Sequence, residues 1–406
     1  RALQNDWLIC NDSVVSPASS NALEDLQLRI SLEPIRDLKI DLTANRTRNR
    51  SREIQYMFEG MPDTRSGNFS MSIISIGSAF ERPSAGDGYH SGTFERFRRN
   101  LDVIRDRVES QFLGAQYPQG STLAGKTFDP ANGTISKHSP DVMIPAFLAA
   151  YTGKSARNSA LDFFPSLFSM MPNWRITYTG LTKIAWFKKN FRSVNLNHAY
   201  RSTYSVGSYN TFQSFMSYMG DIGFVEDVQS GNPIPSSRFD ISMVSINEQF
   251  SPLIGMDATL KNGLTAKVEY KTSRILNLSM SACQLVETAS RDFIIGLGYK
   301  IVNFNLFSGR NVKDSKNRVS HDLALRADIS FRNQSALCRD IQQGFAQATN
   351  GNKALKISCS ADYTLSRLLT LRLYYDRQQN TPLVSSSSYP VVSADFGFSM
   401  KFSLTR

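Results

Sequence analysis

The chain has 406 residues, with 46 lysines and arginines against 35 aspartates and glutamates, a formal net charge of +11, and 41% apolar and 11% aromatic residues. That length suits two or three average domains or one large β architecture. The basic surplus ranks anionic partners first without choosing among them. No apolar run reaches the roughly 18 residues of a membrane-crossing helix, so a helical membrane protein is excluded, whereas a β-barrel, whose alternating strands escape hydropathy windows, is not.

The first clear signal is a period of two. Leu26, Leu28, Ile30 and Leu32 alternate with Gln27, Arg29 and Ser31. After a short turn at Glu33-Pro34, Leu38, Ile40, Leu42 and Ala44 alternate with Lys39, Asp41 and Thr43. Successive side chains of a strand point to opposite faces, so each segment predicts a strand with one apolar face. The second then changes character. Its even positions become Arg46, Arg48, Arg50 and Arg52. On an outward barrel face these guanidinium groups could meet lipid phosphates. The plainer reading is a basic edge that resists aggregation.

From Glu81 to Pro172 the β signal fades. Phe94, Phe97, Leu101, Ile104 and Val108 recur at helical spacing and predict one amphipathic helix. Pro145–Tyr151 is a second, shorter helical candidate. An irregular segment of this length suggests a surface subdomain, a cap or a plug. Within it, Gly120-Ser-Thr-Leu-Ala-Gly125-Lys126-Thr127 matches the phosphate-loop pattern in form. Gln116-Tyr-Pro-Gln before it and Phe128-Asp-Pro-Ala after it supply neither the strand nor the helix that such a loop requires. The aromatic cluster from Phe163 to Phe168, leading into Met171-Pro172-Asn173-Trp174, predicts a hydrophobic knot beneath a loop or a surface for another protein.

Alternation then returns to the end. Lys261-Asn262-Gly263 predicts a tight hairpin. Leu264, Ala266, Val268 and Tyr270 follow, then Leu323 to Phe331, Leu355 to Tyr363, Leu369 to Tyr375, and finally Val392 to Leu404. Polar stretches at Gly309–Arg318, Asn333–Lys353 and Gln378–Pro390 predict longer loops. The long segments Asp292–Asn303, Ser320–Arg332 and Val391–Leu404 exceed the five or six residues usual in soluble strands and suit tilted membrane strands. No Cys…Trp…Cys pattern supports an immunoglobulin-type sandwich. The expected fold is therefore all-β: a large transmembrane antiparallel β-barrel, with strands over 1–80 and 173–406 and a partly helical cap- or plug-like insertion over 81–172. Lipid-facing positions are then Phe396, Phe398, Met400, Phe402 and Leu404. Lumen-facing positions are Lys267, Glu269, Arg326, Asp328, Arg372, Asp395 and Lys401, whose mixed signs suit a wet, charge-balanced surface.

Chemistry-bearing clusters are sparse. Cys10, Cys283, Cys338 and Cys359 lie far apart without metal-site spacing. His90, His138, His198 and His321 form no recognised motif, and no GxSxG elbow supports a barrel hydrolase. No catalytic, cofactor or metal residues are expected.

Two stretches carry a resemblance. One is Pro172-Asn-Trp-Arg-Ile-Thr-Tyr-Thr-Gly-Leu-Thr-Lys-Ile184, with Asn173 and Trp174. The other runs from Phe191 to Tyr209 and includes His198, Tyr200, Arg201, Ser202 and Tyr204. Both resemble the C-terminal barrel region of the SprA/Sov family, the outer-membrane translocon of the type IX secretion system of Bacteroidetes. Met143–Gly153 and Leu32–Leu42 are similar to further segments of that family. The resemblance implies that this chain is a C-terminal piece of a much longer one, forming part of a barrel of about 36 strands. Ser403-Leu404-Thr405-Arg406 departs from the C-terminal aromatic of many outer-membrane barrels. The implied function is a protein-conducting channel that passes folded cargo to the cell surface. The implied partners are secreted cargo proteins, a PorV-like shuttle barrel, a plug protein, a peptidyl-prolyl isomerase-type partner and outer-membrane lipids, with no nucleic acid. A different outer-membrane transport barrel and a secreted all-β adhesin are the rival readings.

Overall fold

The structure, a computed structural model, describes residues 5, 17–54, 63–302, 304, 322–366, 368–384 and 389–402. It is dominated by one antiparallel sheet of 13 strands. β1 (Ala18–Ile35) and β2 (Leu38–Ile54) form the opening hairpin. Asp37 closes it with φ of 68°, a conformation that aspartate tolerates better than most residues. The pairs Leu28↔Ala44, Ile30↔Leu42 and Leu32↔Ile40 put the apolar phases of both strands on one face.

β3 (Thr64–Ser72) and β4 (Asn173–Tyr178) lie end to end between β2 and β5 (Phe191–Thr211). β3 pairs with Arg46–Glu53 of β2, and β4 pairs with Leu38–Thr43. On β5 the same division holds, with β3 beside Thr203–Asn210 and β4 beside Leu196–Tyr200. The two short strands therefore occupy one position in the wall, and the segment 73–172 leaves through the break between them. The short helix α3 (Ala185–Asn190) leads into β5.

The remainder of the wall is a meander. β10 (Met243–Leu260) pairs with β5, then β11 (Leu264–Ser279), β12 (Gln284–Ile301), β13 (Leu323–Asp340), β14 (Ala346–Thr364), β15 (Leu369–Pro382) and β16 (Val391–Phe402) follow in sequence order. Gly263, at φ of 88°, makes the β10–β11 turn that Asn262-Gly263 predicts. Among the described residues, β1 and β16 each pair on one side only. The sheet is thus open at both ends.

The departing segment carries α1 (Gly92–Ser110) and α2 (Pro140–Tyr151). Phe94, Phe97, Leu101, Ile104 and Val108 of α1 are all buried, as their spacing predicts. α2 is buried on nearly every side, and Phe147 meets Phe97 edge-on at 6.0 Å. A second excursion joins this subdomain. It contains β6 (Met216–Met219), β7 (Ile222–Glu226) and β8 (Pro233–Ser237), a separate three-stranded sheet, and returns through β9 (Phe239–Asp240). Phe224 of β7 packs on Phe112, Tyr117 and Phe128. Together these parts form a cap.

Three expectations change. The region 173–406 is not wall throughout, because 212–241 belongs largely to the cap. The polar stretch Asn333–Lys353 is mostly strand, with β13 and β14 continuing to a tight connection at 341–345. β15 likewise continues to Pro382, inside the loop expected over Gln378–Pro390. Apart from Leu337, most positions of these strand ends are polar or small, so the apolar alternation that marks a strand is weak there. The segment Gly120–Thr127 makes turns and one bridge to Gln116, without the strand and helix of a phosphate loop. Leu404, His321, Cys10 and Gly309–Arg318 lie outside the described residues.

Candidate functional site

The sheet has two chemically different faces, and the register assigns each side chain to one of them. On one face, Ala258, Ala266, Leu297, Ala327, Cys359, Tyr375 and Phe396 follow each other across seven strands. The adjacent row runs from Leu264 through Tyr299, Leu325, Ala361 and Leu373 to Phe398. The belt continues on the other side through Val194 and Leu196 of β5, Ile176 and Tyr178 of β4, Leu38, Ile40 and Leu42 of β2, and Ile30 and Leu32 of β1. Val194 and Ala258 are buried, but on β16 the belt stands open: Phe396 is 72% exposed, Phe398 59%, Met400 66% and Phe402 61%.

The opposite face is polar. Lys267, Asp328 and Asp395 fall in one row with Asp257. Glu269 lies beside them and pairs with Lys267 at 3.1 Å and Lys271 at 2.9 Å. Arg326, Arg372 and Lys401 share that face, and Arg372 comes within 3.7 Å of Asp362. Gly296 and Gly298 leave room there for Asp328 and Thr265, whose oxygens would each meet an added Cβ at 2.6 Å.

Beyond the belt, the apolar face is covered by the cap. Leu276, Leu278 and Leu285 are wholly buried there. Charges occur in phase with them and form a latch. Glu248, 2% exposed, accepts hydrogen bonds from Arg274 at 2.7 Å, Ser75 at 2.6 Å and Tyr200 at 2.8 Å. Arg274 also donates to the Ser78 carbonyl at 2.6 Å. Arg339 pairs with Glu287 at 3.1 Å, donates to the Tyr89 carbonyl at 2.6 Å and lies over the Phe94 ring. Arg291 donates to the Glu81 carbonyl at 3.2 Å. Buried charges need such pairing, because desolvation otherwise outweighs attraction; of the Arg274 nitrogens only Nε is left without a partner. The sequence did carry a signal for the latch: Glu248, Arg274, Glu287 and Arg339 interrupt otherwise apolar phases.

Two carboxyls of the cap are shifted in opposite directions. Burial opposes ionisation of Glu81, but hydrogen bonds from Ser91 and Thr93 and the nearby Arg274 charge outweigh it and hold the group below its usual range. Those bonds, at 2.5 Å from Ser91 Oγ and 2.9 Å from the Thr93 N–H, also tie the start of α1. Burial pushes the Asp141 carboxyl up, against hydrogen bonds from Ser237 and Ser236.

The family-motif residues meet at the break in the wall. Trp174 stacks on Tyr200 with centroids 4.5 Å apart. The Asn173 side chain accepts from the Ser202 N–H at 2.8 Å and donates to Ser72 Oγ at 3.1 Å, stitching the end of β3 to the start of β4. The Tyr204 hydroxyl donates to the Phe163 carbonyl at 3.1 Å. His198 is held through Nδ1 to the Leu253 carbonyl at 2.6 Å. Arg201 turns to the polar face, opposite Gln249.

The arginine row of β2 is engaged within the protein. Arg46 and Arg50 pair with Glu24, Arg52 with Asp63 at 2.6 Å, and Arg48 sits 4.5 Å over the Phe164 ring. Cation–π contact and ion pairing take these groups, which is why they are not left free for lipid phosphates. Among the described residues no group of His, Cys, Asp and Glu is placed to hold a metal ion, and Cys283, Cys338 and Cys359 are unbridged.

No family model matches the chain, and no curated protein matches it. Among solved structures it is similar to the in-vitro folded, trimer form of OmpT, an outer membrane protein of Vibrio cholerae. That similarity covers 95% of this chain and 99% of the other, at 9% identity and a TM-score of 0.24. At that score the superposition carries no argument; the all-β fold rests on the strand register itself.

Proposed function

We propose that this sheet is a sector of the wall of a large outer-membrane β-barrel, with the belt against lipid and the polar face against an aqueous passage. The observation that carries this reading is the apolar belt, interrupted on β15 by Arg377 and Gln379, backed by a charged face. On β16 the belt runs from Val392 to Phe402. At about 3.3 Å per residue that is about 33 Å of strand, or about 25 Å of height at the tilt of about 40° usual in membrane barrels. Each exposed Phe or Met left in water forgoes about 1.5–3 kcal/mol of burial. The four on β16 alone thus forgo about 6–12 kcal/mol, comparable to the whole stability of a domain. Acyl chains as solvent remove that cost.

Trp186 and Ile184 are exposed beside Lys183, Lys188 and Lys189 at the turn end of the belt. Aromatic rings and long cationic side chains are characteristic of the membrane–water interface. The short turns at Arg36–Asp37 and Lys261–Gly263 share that end and face the periplasm by the rule for such barrels. The cap lies at the other end.

The resemblance of the Asn173–Ile184 and Phe191–Tyr209 segments narrows the reading to a protein-conducting channel of type IX secretion, working with a PorV-like shuttle barrel, a plug protein and an isomerase-type partner. Open edges at β1 and β16 are available for further strands of the wall. A polar surface of mixed charge suits passage of folded clients, since it offers no apolar patch to retain them.

The test is cysteine scanning along β16 in liposomes, in a background without native cysteines. Variants at Ser393, Asp395 and Ser399 should react with a membrane-impermeant thiol reagent. Variants at Phe396, Phe398 and Met400 should resist it and be quenched by brominated lipid. Equal reactivity of both sets would refute the wall. Depletion in cells should leave secreted proteins folded in the periplasm; unimpaired secretion would refute the channel.

A further inference from the structure

We infer that the polar face carries a built recognition site for carboxylates, formed by Arg29, Arg175 and Arg201, and that its ligand is an acidic segment of a polypeptide in passage. The inference rests on the proposed assignment of the polar face to an aqueous passage. The three guanidinium groups line one cleft of about 340 Å³. Register explains how they come together. Arg29 stands opposite Thr43, Arg175 opposite Ala199, and Arg201 opposite Gln249, so all three project from the same face of four neighbouring strands. Thr43, Ala199 and Ser251, all short, also line the cleft, so the long arginines rise around a shallow floor.

Positive charge is in excess here: three arginines share the cleft with one carboxylate, Asp41, which stands opposite Arg175 in register. Elsewhere on this face Glu269 is shared by two lysines, and Arg332 holds Asp292 at 2.9 Å. The carboxylate of the cleft accepts from Ser31 at 2.5 Å and pairs with Lys39 at 3.4 Å, and among the described residues none of the three arginines forms an ion pair with it. Among the described residues, the side chains of Arg175 and Arg201 make no ion pair or hydrogen bond. Grouped like charges in a concavity raise the local potential and attract anions. A guanidinium fork meets a carboxylate with two parallel bonds, which selects planar acids. Lipid phosphates are the less apt ligand, because headgroups border the belt on the reverse of the sheet.

The experiment uses the full chain in detergent micelles and the anisotropy of a fluorescein-labelled decaglutamate, with decaglutamine as control. The wild type should prefer the glutamate peptide, and the preference should fall with salt. Arg175→Gln with Arg201→Gln should weaken binding about tenfold or more, the loss expected for about 1.4 kcal/mol. Arg175→Lys with Arg201→Lys, which keeps the charge, should restore most of it, and shows that loss in the first variant is not misfolding. No preference in the wild type, or equal binding by the glutamine variant, overturns the site. Competition by millimolar inorganic phosphate but not by free decaglutamate overturns the ligand assignment. The β16 labelling pattern reads the wall independently: an alternating pattern with no peptide binding removes this inference alone, and a uniform pattern removes the passage.

Discussion

Two stretches of one strand face show what the sheet is built for. On β13, Leu337 is 2% exposed and Phe331, six positions away on the same face, is 50% exposed. On β12, Leu285 is fully buried while Leu297 is 47% exposed. Strand geometry and residue type are alike at both heights; what differs is the cover. At one end the cap supplies a close-packed protein interior with paired charges. At the other end most of the apolar side chains stand uncovered by the described chain, although Val194 and Ala258 are buried and Arg377 shares the face between Ile357 and Ala394. In the proposed membrane reading, the contrast separates two ways of satisfying an apolar face: packing, which tolerates and even uses buried ions, and a fluid apolar solvent, in which they are rare.

The sharpest way to break this comparison is to remove one half of the latch. Glu248→Ala leaves Arg274 buried and unpaired, and should cost about 3–5 kcal/mol. Hydrogen exchange should quicken in α1 and α2 while the belt strands stay protected; unchanged exchange in the cap would show that the latch does not hold it. Next in size is a charge placed in the belt. Phe398→Arg should cost about 2–4 kcal/mol near the bilayer midplane, whereas Ser399→Arg, on the other face, should be nearly neutral. Folding yields into liposomes measure both, and equal yields would erase the distinction between faces.

A smaller effect is expected at the break in the wall. Asn173→Ala strands the Ser202 N–H and should cost about 1–3 kcal/mol, read as faster exchange at Ser202 and Ile73. The smallest effect is that of pH on the cap. Glu81 is held below its ordinary pKa, so its contribution is complete above the unfolded value of 4.5 and is lost as pH falls through the folded value. Asp141 has the opposite sign: raised above 3.8, it stabilises below that value and loses the contribution as pH rises. Acid should therefore loosen the start of α1, and Glu81→Gln should flatten that response. Asp141→Asn should remove the opposing slope. Exchange of the Thr93 amide between about pH 7 and about pH 2.5, a range spanning the carboxyl values, follows the first effect.

Much of this architecture was legible in the residues. The period of two placed the belt on Phe396, Phe398, Met400 and Phe402 and the charges of Lys267, Asp328 and Asp395 opposite them, because strand geometry is local. The helical spacing from Phe94 to Val108 located α1 for the same reason. Less legible were the far ends of β13, β14 and β15, where most positions on both faces are polar or small and alternation carries little contrast. The union of 212–241 with the cap was invisible too, since short strands there offer little pattern.

Alternation and turn chemistry by themselves determined which residues form strands, where the tight hairpins fall and which side chains share a face. Only the tertiary structure decided what covers that face. Ser75 and Glu248 are 173 residues apart, and Tyr89 and Arg339 are 250 apart. No periodicity reports such a meeting, because it depends on β3 and β4 lying end to end and releasing the cap across strands that the chain forms much later.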